Sequence, residues 1–188
     1  MALEQEKIIA NTKKYFETAT KFGFMNNELM QFLGEAFIKS PASTMVDFHN
    51  SFEGGLIDHL LRVASYCVKI NNSLPDDEKV SQESLLKVCL LHQIGKANLY
   101  TPCTSEWHRK NQGKMYDFNT NLVSMRVSER SVYYALSHGI KLTEEEVSAI
   151  LFFDKTDDKL LSYHNSMVGE LLKMGSVLAI KNEKKNNK

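Results

Sequence analysis

Two histidines at apolar helical segments are the residues of this sequence best suited to chemistry. His59 follows Gly54-Gly55-Leu56-Ile57-Asp58, and His92 ends the apolar run Leu85-Leu86-Lys87-Val88-Cys89-Leu90-Leu91. An imidazole held among apolar side chains is either hydrogen-bonded inside the core or a metal ligand. The paired glycines before His59, and the Gly95-Lys96 pair after His92, indicate backbone brought close to another group. The pattern favours a site at these two positions and leaves both alternatives open.

The elements that must position these histidines are helices. Apolar residues recur at helical spacing along most of the chain, and Ser81 is expected to cap the helix that carries His92. Thr143-x-x-Glu146 reads as a capping box. Residues 98–127 are expected to form an ordered loop that can include a short hairpin. The predicted helices cover about residues 3–21, 27–39, 54–71, 81–91, 128–137, 143–153 and 165–181.

The sequence thus predicts an all-α single domain. Its 188 residues are enough for a real core, and 43% hydrophobic with 24% charged residues is ordinary for a soluble globular protein. The N-terminal helices within 1–40 are expected to pack on a domain spanning 41–180. The basic segment 181–188 has nothing to bury and is expected to be a disordered tail.

Charge and cysteine usage restrict the classes of partner. The 23 basic and 23 acidic residues cancel, so no overall field attracts nucleic acid or an anionic membrane. The three cysteines, Cys67, Cys89 and Cys103, lack the spacing of a metal site and are expected to be free thiols, which fits a reducing compartment. We find no signal peptide and no membrane-length apolar run. A cytoplasmic location is expected.

The two histidine motifs together resemble a known family. Phe48-His49-Asn50, Gly54-Gly55-Leu-x-x-His59 and Leu91-His92-Gln93-Ile94-Gly95-Lys96 are similar to HD-domain proteins, the metal-dependent phosphohydrolase superfamily, as found in predicted hydrolases of bacteria and phages. The resemblance covers roughly residues 41–180 and implies an all-helical HD-type fold. Further matching segments are Trp107–Lys110, Gly113–Tyr116, Ser128–Val132 and Leu142–Ile150.

The resemblance also implies where metal ligands would lie. His59 matches the first ligand histidine and His92 the histidine of the His-Asp pair, whose aspartate position holds Gln93. The distal aspartate position of the last helix falls on Gly175. Positions at which relatives carry additional histidines fall on Val127 and Phe153.

These departures weaken the implied metal site. Gln93 offers a neutral carbonyl oxygen, and two histidines with one amide fall short of the three protein ligands of a catalytic zinc site. Asp58 is a helical neighbour of His59 and is expected to point elsewhere. Asp154 is the carboxylate expected to complete the site if a metal binds. The ion would then be Mn, Fe, Ni, Zn or Mg. Otherwise no cofactor is expected.

An anion could still bind in such a pocket. The resemblance places Lys96 near a substrate phosphate and His49 beside the site, and it matches Lys114 and Arg130 to segments around it. Gln93 could turn its amide nitrogen toward a phosphate. The alternative for each of the three cations is an ordinary solvated charge. Trp107 and Tyr116 could stack on a base or simply pin the loop to the core.

Three functions follow as hypotheses. The first is a degenerate, non-catalytic HD-domain protein that binds a nucleotide, another phosphorylated ligand or a protein partner through the relic pocket, with no residue assigned as catalytic. The second is a metal-dependent phosphohydrolase acting on nucleotides with a single-metal site. The third is a structural or assembly protein. No membrane partner is expected, no strong nucleic-acid signal is present, and a phage-encoded chain would act in the host cytoplasm.

Overall fold

The computed structural model describes residues 5–153 and 164–186, and its fold is predominantly α-helical, as predicted. No helix in these ranges is long and apolar enough to span a bilayer. Short 3-10 turns cover Asp76–Glu78 and Ile94–Lys96. The helices are α1 (Gln5–Lys21), α2 (Asn27–Ile38), α3 (Gly55–Asn72), α4 (Gln82–Leu91), α5 (Glu106–Gln112), α6 (Val127–Ser137), α7 (Glu144–Phe153) and α8 (Met167–Asn186).

Helices α3, α4 and α8 form the centre of the core. The apolar faces of α1 and α2 join them, and the buried Tyr15 hydroxyl of α1 donates to the Leu90 carbonyl of α4 at 2.8 Å. Helix α7 packs on α8 and α6 on α7. Both predicted caps are confirmed. Ser81 Oγ accepts the Ser84 N–H, and Thr143 and Glu146 exchange reciprocal side-chain to backbone bonds.

Helix α8 lies directly against α3 because it carries glycine at their closest approach. A Cβ atom at Gly175 would lie 2.2 Å from Cys67 Sγ and 3.1 Å from the Val63 carbonyl oxygen. The Cys67 thiol cannot move away cheaply, because it is fully buried and donates to the Leu171 carbonyl. The structure therefore corrects the interpretation of Gly175 as the ligand position of the last helix. This residue is a packing contact.

Replacing Gly175 with valine is expected to destabilise the fold. The added side chain must separate α3 from α8, and overpacking of this kind typically costs about 1–3 kcal/mol. Urea denaturation measures the effect. Met174→Ala on the same helix changes a half-exposed side chain and should shift stability by less than about 0.5 kcal/mol. Equal stability of Gly175→Val and the unmodified protein would contradict this close packing.

The segment from 98 to 127 contains more structure than predicted. Strands β1 (Tyr100–Pro102) and β2 (Tyr116–Phe118) pair antiparallel, as the expected hairpin would, but α5 is inserted between them. Ser105 caps α5 by accepting the His108 N–H, and Gly113 ends the helix with a left-handed backbone. A bridge between Met45 and Lys114 then ties this segment to the loop that precedes α3.

The prediction of a disordered tail from Lys181 was wrong for the part of it that the structure describes. Helix α8 continues to Asn186, and Glu183 is only 2% exposed. Among residues 181–184, whose side chains the structure describes, Glu183 is the one buried residue, although the stretch is strongly charged. Its burial depends on partners far away in the sequence.

Candidate functional site

Three predicted site histidines converge on the core side of α3. His59 lies in the first turns of α3, His92 caps the end of α4, and His49 belongs to the loop before α3. His59 and His92 are 0% exposed, and His49 is partly buried. The rings of His49 and His59 lie 4.6 Å apart between centroids. Charge on His59 would oppose protonation of His92, so these two rings are also within electrostatic reach.

The paired glycines hold His49 in place. A Cβ atom at Gly55 would lie 2.2 Å from the Asn50 carbonyl oxygen, so only glycine lets the loop fold back on the start of α3. Asn50 adopts a left-handed backbone, and its side-chain amide donates to the Gly55 carbonyl and to Asp58. The backbone contact expected from Gly54-Gly55 is confirmed, and it fixes the residue next to His49.

The turn after His92 is fixed in a similar way. The Gly95 N–H donates to Ser131 Oγ at 2.9 Å, and the Ser131 hydroxyl lies 3.0 Å from the His92 carbonyl oxygen. A Cβ atom at Gly95 would lie 2.4 Å from the Val127 carbonyl oxygen, so glycine is needed for this contact with α6. One hydroxyl thus attaches the end of α4 to α6 and limits the movement of His92.

The ring of His92 has a defined proton arrangement. Its Nδ1 lies 2.9 Å from the Cys89 carbonyl oxygen, which can only accept, so Nδ1 carries the proton and Nε2 has the lone pair. Within the described ranges, no group hydrogen-bonds to this buried Nε2. The edge of Phe153 packs on the ring at a centroid distance of 4.6 Å. The family resemblance aligned a position for an additional histidine with Phe153, and in the structure this side chain forms an apolar wall beside His92.

Glu183 is the site residue that sequence reasoning missed. Both of its carboxylate oxygens lie 3.0–3.1 Å from His59 Nδ1, and Arg62 Nε lies 3.2 Å from one of them. A usable signal exists, since Glu183 follows the buried residues Leu172 and Ala179 of α8 at helical spacing and so lies on the same buried stripe. Continuing that stripe into the charged segment would have predicted a buried glutamate.

Burial keeps the three imidazoles neutral. It lowers the pKa of His49, His59 and His92 to about 3 each, and the charge of Lys96 contributes to each shift in the same direction. Burial also raises the pKa of Glu183, although Arg62 opposes this shift. Neutral imidazoles are the form that binds metal ions.

Lys96 and Gln93 lie at the same buried turn as His92. The Lys96 ammonium donates to the Ala42 carbonyl, and its backbone carbonyl accepts from Ser40 Oγ. Lys96 acts electrostatically on the histidines and on Glu183, so it belongs to the same cluster. Gln93 is buried, and in the described part of the chain its Oε1 has no hydrogen-bond partner.

The remaining predicted residues lie in other contacts. Lys114 forms an ion pair with Asp117 beside β2. Arg130 is buried on α6, where its guanidinium donates to the Val123 carbonyl. No contact found among residues 5–153 and 164–186 joins either of these two cations to the three histidines. Asp154, the predicted additional metal ligand, lies outside the described residues.

The arrangement suits a cation better than it suits a hydrophobic core. The Nε2 atoms of His49, His59 and His92 are all buried, and none has a hydrogen-bond partner among the residues described here. Burying an unsatisfied polar atom costs about 1–3 kcal/mol, so three together are a substantial penalty unless something binds there. One donor atom from each of His49, His59 and Glu183 lies within 4.8 Å of the others, and His92 is not part of this group among the described residues. Imidazole nitrogens and carboxylate oxygens are typical ligands of a borderline divalent ion, and a carboxylate can also act behind a ligand histidine.

Comparison with known proteins adds no identification, since no protein-family model, curated protein or solved structure matches the chain.

Proposed function

We propose that this protein binds one divalent transition-metal ion at the buried histidines and acts as a phosphohydrolase of the HD type on a phosphorylated small molecule such as a nucleotide. One observation carries the proposal. The imidazoles of His59 and His92 are fully buried, each has an oxygen atom within hydrogen-bond distance of Nδ1, and each has an Nε2 without a described partner. Histidines held at one ring nitrogen by an oxygen atom, with the other nitrogen open, are typical of metal ligands.

The donor set fits such an ion better than the sequence suggested. His49 brings a third buried imidazole nitrogen next to His59, which offsets the weak donor at Gln93. Three protein ligands with one open position are the usual arrangement of catalytic zinc. The ion, when bound, supplies Lewis-acid activation of water.

The other residues of the cluster would act on the substrate. The ammonium of Lys96 is within electrostatic reach of all three histidines, so it favours an anionic group at this position. Gln93 can donate its amide N–H groups to a phosphate oxygen. The neutral imidazoles carry no charge that would compete with the ion.

Elemental analysis tests the metal part directly. The protein is incubated with manganese, iron, nickel or zinc, desalted and analysed by mass spectrometry, and about one ion per chain is expected. The loaded protein is then assayed for phosphate release from a panel of nucleotides and phosphomonoesters. Absence of any retained ion together with absence of turnover would overturn the proposal.

A second candidate is binding of the same ligand class without turnover. It is favoured by Gln93, a neutral amide where the family resemblance implies an aspartate, together with the buried charge of Lys96. Under this hypothesis nucleotides raise the melting temperature in the presence of chelator, by mass action. Lys96→Met should reduce that shift at least several-fold, whereas Lys110→Met, at an exposed ion pair on α5, should leave it unchanged. Equal shifts in both variants would argue against a phosphate site at Lys96.

A further inference from the structure

The Nδ1 atom of His59 faces the buried carboxyl group of Glu183. Glu183 approaches His59 Nδ1 with both carboxylate oxygens, at 3.0 and 3.1 Å. The side chains of both residues are almost completely inaccessible, at 0% and 1% exposure. Burying a carboxylate costs free energy unless the charge is paired or hydrogen-bonded. The contact with the His59 imidazole therefore helps to offset the cost of burying Glu183.

A chain of charges keeps the Glu183 carboxylate in that position. Arg62, one turn after His59 on α3, places its Nε 3.2 Å from Glu183. The other end of the guanidinium is fixed by Asp58 at 3.0 Å and by the Asn182 side-chain oxygen at 3.0 Å. Helix α8 is thus attached to α3 through Arg62, and the Glu183 carboxylate has little freedom to turn away from His59.

This geometry selects one tautomer of His59. A neutral imidazole has a single N–H, and the two ring nitrogens compete for it. With the proton on Nδ1, the ionised carboxylate accepts it, and the lone pair remains on Nε2. The opposite tautomer would set the Nδ1 lone pair against carboxylate oxygens and bury an Nε2–H that has no acceptor within the described structure.

We propose that Glu183 is the positioning residue of the metal site, because it accepts the Nδ1 proton of His59 and so directs the Nε2 lone pair of that ring to the ion. This inference rests on the proposed function. It assigns to Glu183 the role that the Cys89 carbonyl has for His92, so that each imidazole is oriented through a hydrogen bond at Nδ1. Carboxylate–histidine–metal arrangements of this kind raise ligand basicity and fix ring orientation.

Imidazole ¹⁵N–¹H correlation spectra of the metal-free protein test the tautomer. At a pH clearly above 8, the value to which burial raises the pKa of the Glu183 carboxyl, that group is ionised and His59 should carry its proton on Nδ1. Glu183→Gln should keep that tautomer, because the amide oxygen still accepts, whereas Glu183→Ala should convert His59 to a mixture or to the Nε2–H form. His92 is an internal control, since its Nδ1 proton is bound by the Cys89 carbonyl and should not respond.

Metal affinity provides the second readout. Loss of such an outer partner typically lowers affinity about 10–100-fold, so Glu183→Ala should weaken Zn²⁺ or Co²⁺ binding by that factor and Glu183→Gln by less. Lys181→Ala is the matched control. It removes an exposed side chain on the same turn of α8, and it should leave metal affinity within about twofold.

The outcomes separate this inference from the proposed function. A wild-type protein that shows the Nδ1–H tautomer of His59 but retains no ion would overturn the metal site itself. A protein that binds one ion, with the same affinity and the same His59 tautomer in Glu183→Ala, would overturn the role of Glu183 and leave the metal site standing. An Nε2–H tautomer in the ionised wild type would also overturn the role of Glu183.

Discussion

His92→Ala is expected to reduce bound metal from about one ion per chain to a trace and to abolish metal-dependent phosphate release. The imidazole of His92 is fixed by the Cys89 carbonyl on one side and by Phe153 on the other, so no other side chain can take its place without rearrangement. Because we propose His92 as a direct ligand, its removal should cost more than the roughly 10–100-fold that loss of an outer partner costs. Elemental analysis and turnover assays measure both effects.

The control for this variant is a histidine outside the cluster. His108→Ala changes a partly buried ring on α5 and should leave metal content and turnover as they are in the wild type. Because His92 is fully buried, His92→Gln should be made as well, and circular dichroism should show that both variants are folded. Undiminished turnover in a folded His92 variant would exclude this histidine from the reacting centre.

Acid is expected to unfold the metal-free protein at a pH well above that at which carboxylates titrate. The three cluster histidines have their pKa lowered by burial to about 3, whereas in the unfolded chain they titrate near 6.5. Below 6.5 the unfolded chain therefore binds up to three more protons than the native protein. Stability then falls as the pH falls.

Glu183 opposes part of this effect. Burial raises its pKa from 4.5 to about 8, so between these values the native protein holds one more proton than the unfolded chain. The net difference is about two protons between roughly pH 6.5 and 4.5, which corresponds to a loss of about 3 kcal/mol per pH unit. Over that interval the loss is comparable with the lower end of the stability of an ordinary domain, about 5–15 kcal/mol.

Urea denaturation in chelator at a series of pH values measures this dependence. Replacing His92 with leucine removes one of the buried titrating groups and should reduce the slope by about one proton, whereas Met174→Ala, which changes no titrating group, should leave it unchanged. A denaturation midpoint that does not move between about pH 7 and pH 5 would contradict the burial of three neutral histidines.

The parts of the fold that depend on local sequence could be predicted. Helical periodicity gave most of the helices, and the side chains of Ser81 and Thr143 marked two of their starts, because capping involves residues only three positions apart. Helix α5 was missed because its seven residues show no apolar periodicity, and its start depends on the single hydroxyl of Ser105.

The candidate site could be predicted only in part. The glycines next to His59 and His92 correctly indicated close backbone contacts, since Gly55 and Gly95 each leave no room for a Cβ atom. Glu183 was not predicted as a site residue because the charged residues around it are typical of an exposed tail. Its burial is decided by His59 and Arg62, more than a hundred positions earlier. Gly175 was misassigned for a related reason, since only the packing of α3 on α8 shows what that position contacts.

The contact between His59 and Glu183 also has a consequence for the order of events during folding. It joins residues 124 positions apart, and a contact that closes so long a loop carries a large entropy cost and forms late unless other contacts have already brought its ends together. Helices α3 and α4 can form before α8 docks, but the contact between His59 and the Glu183 carboxyl group forms only after α8 has docked. In stopped-flow refolding, metal uptake should therefore lag behind the recovery of helical signal, and an ion bound by this protein would mark chains that have completed their last docking step.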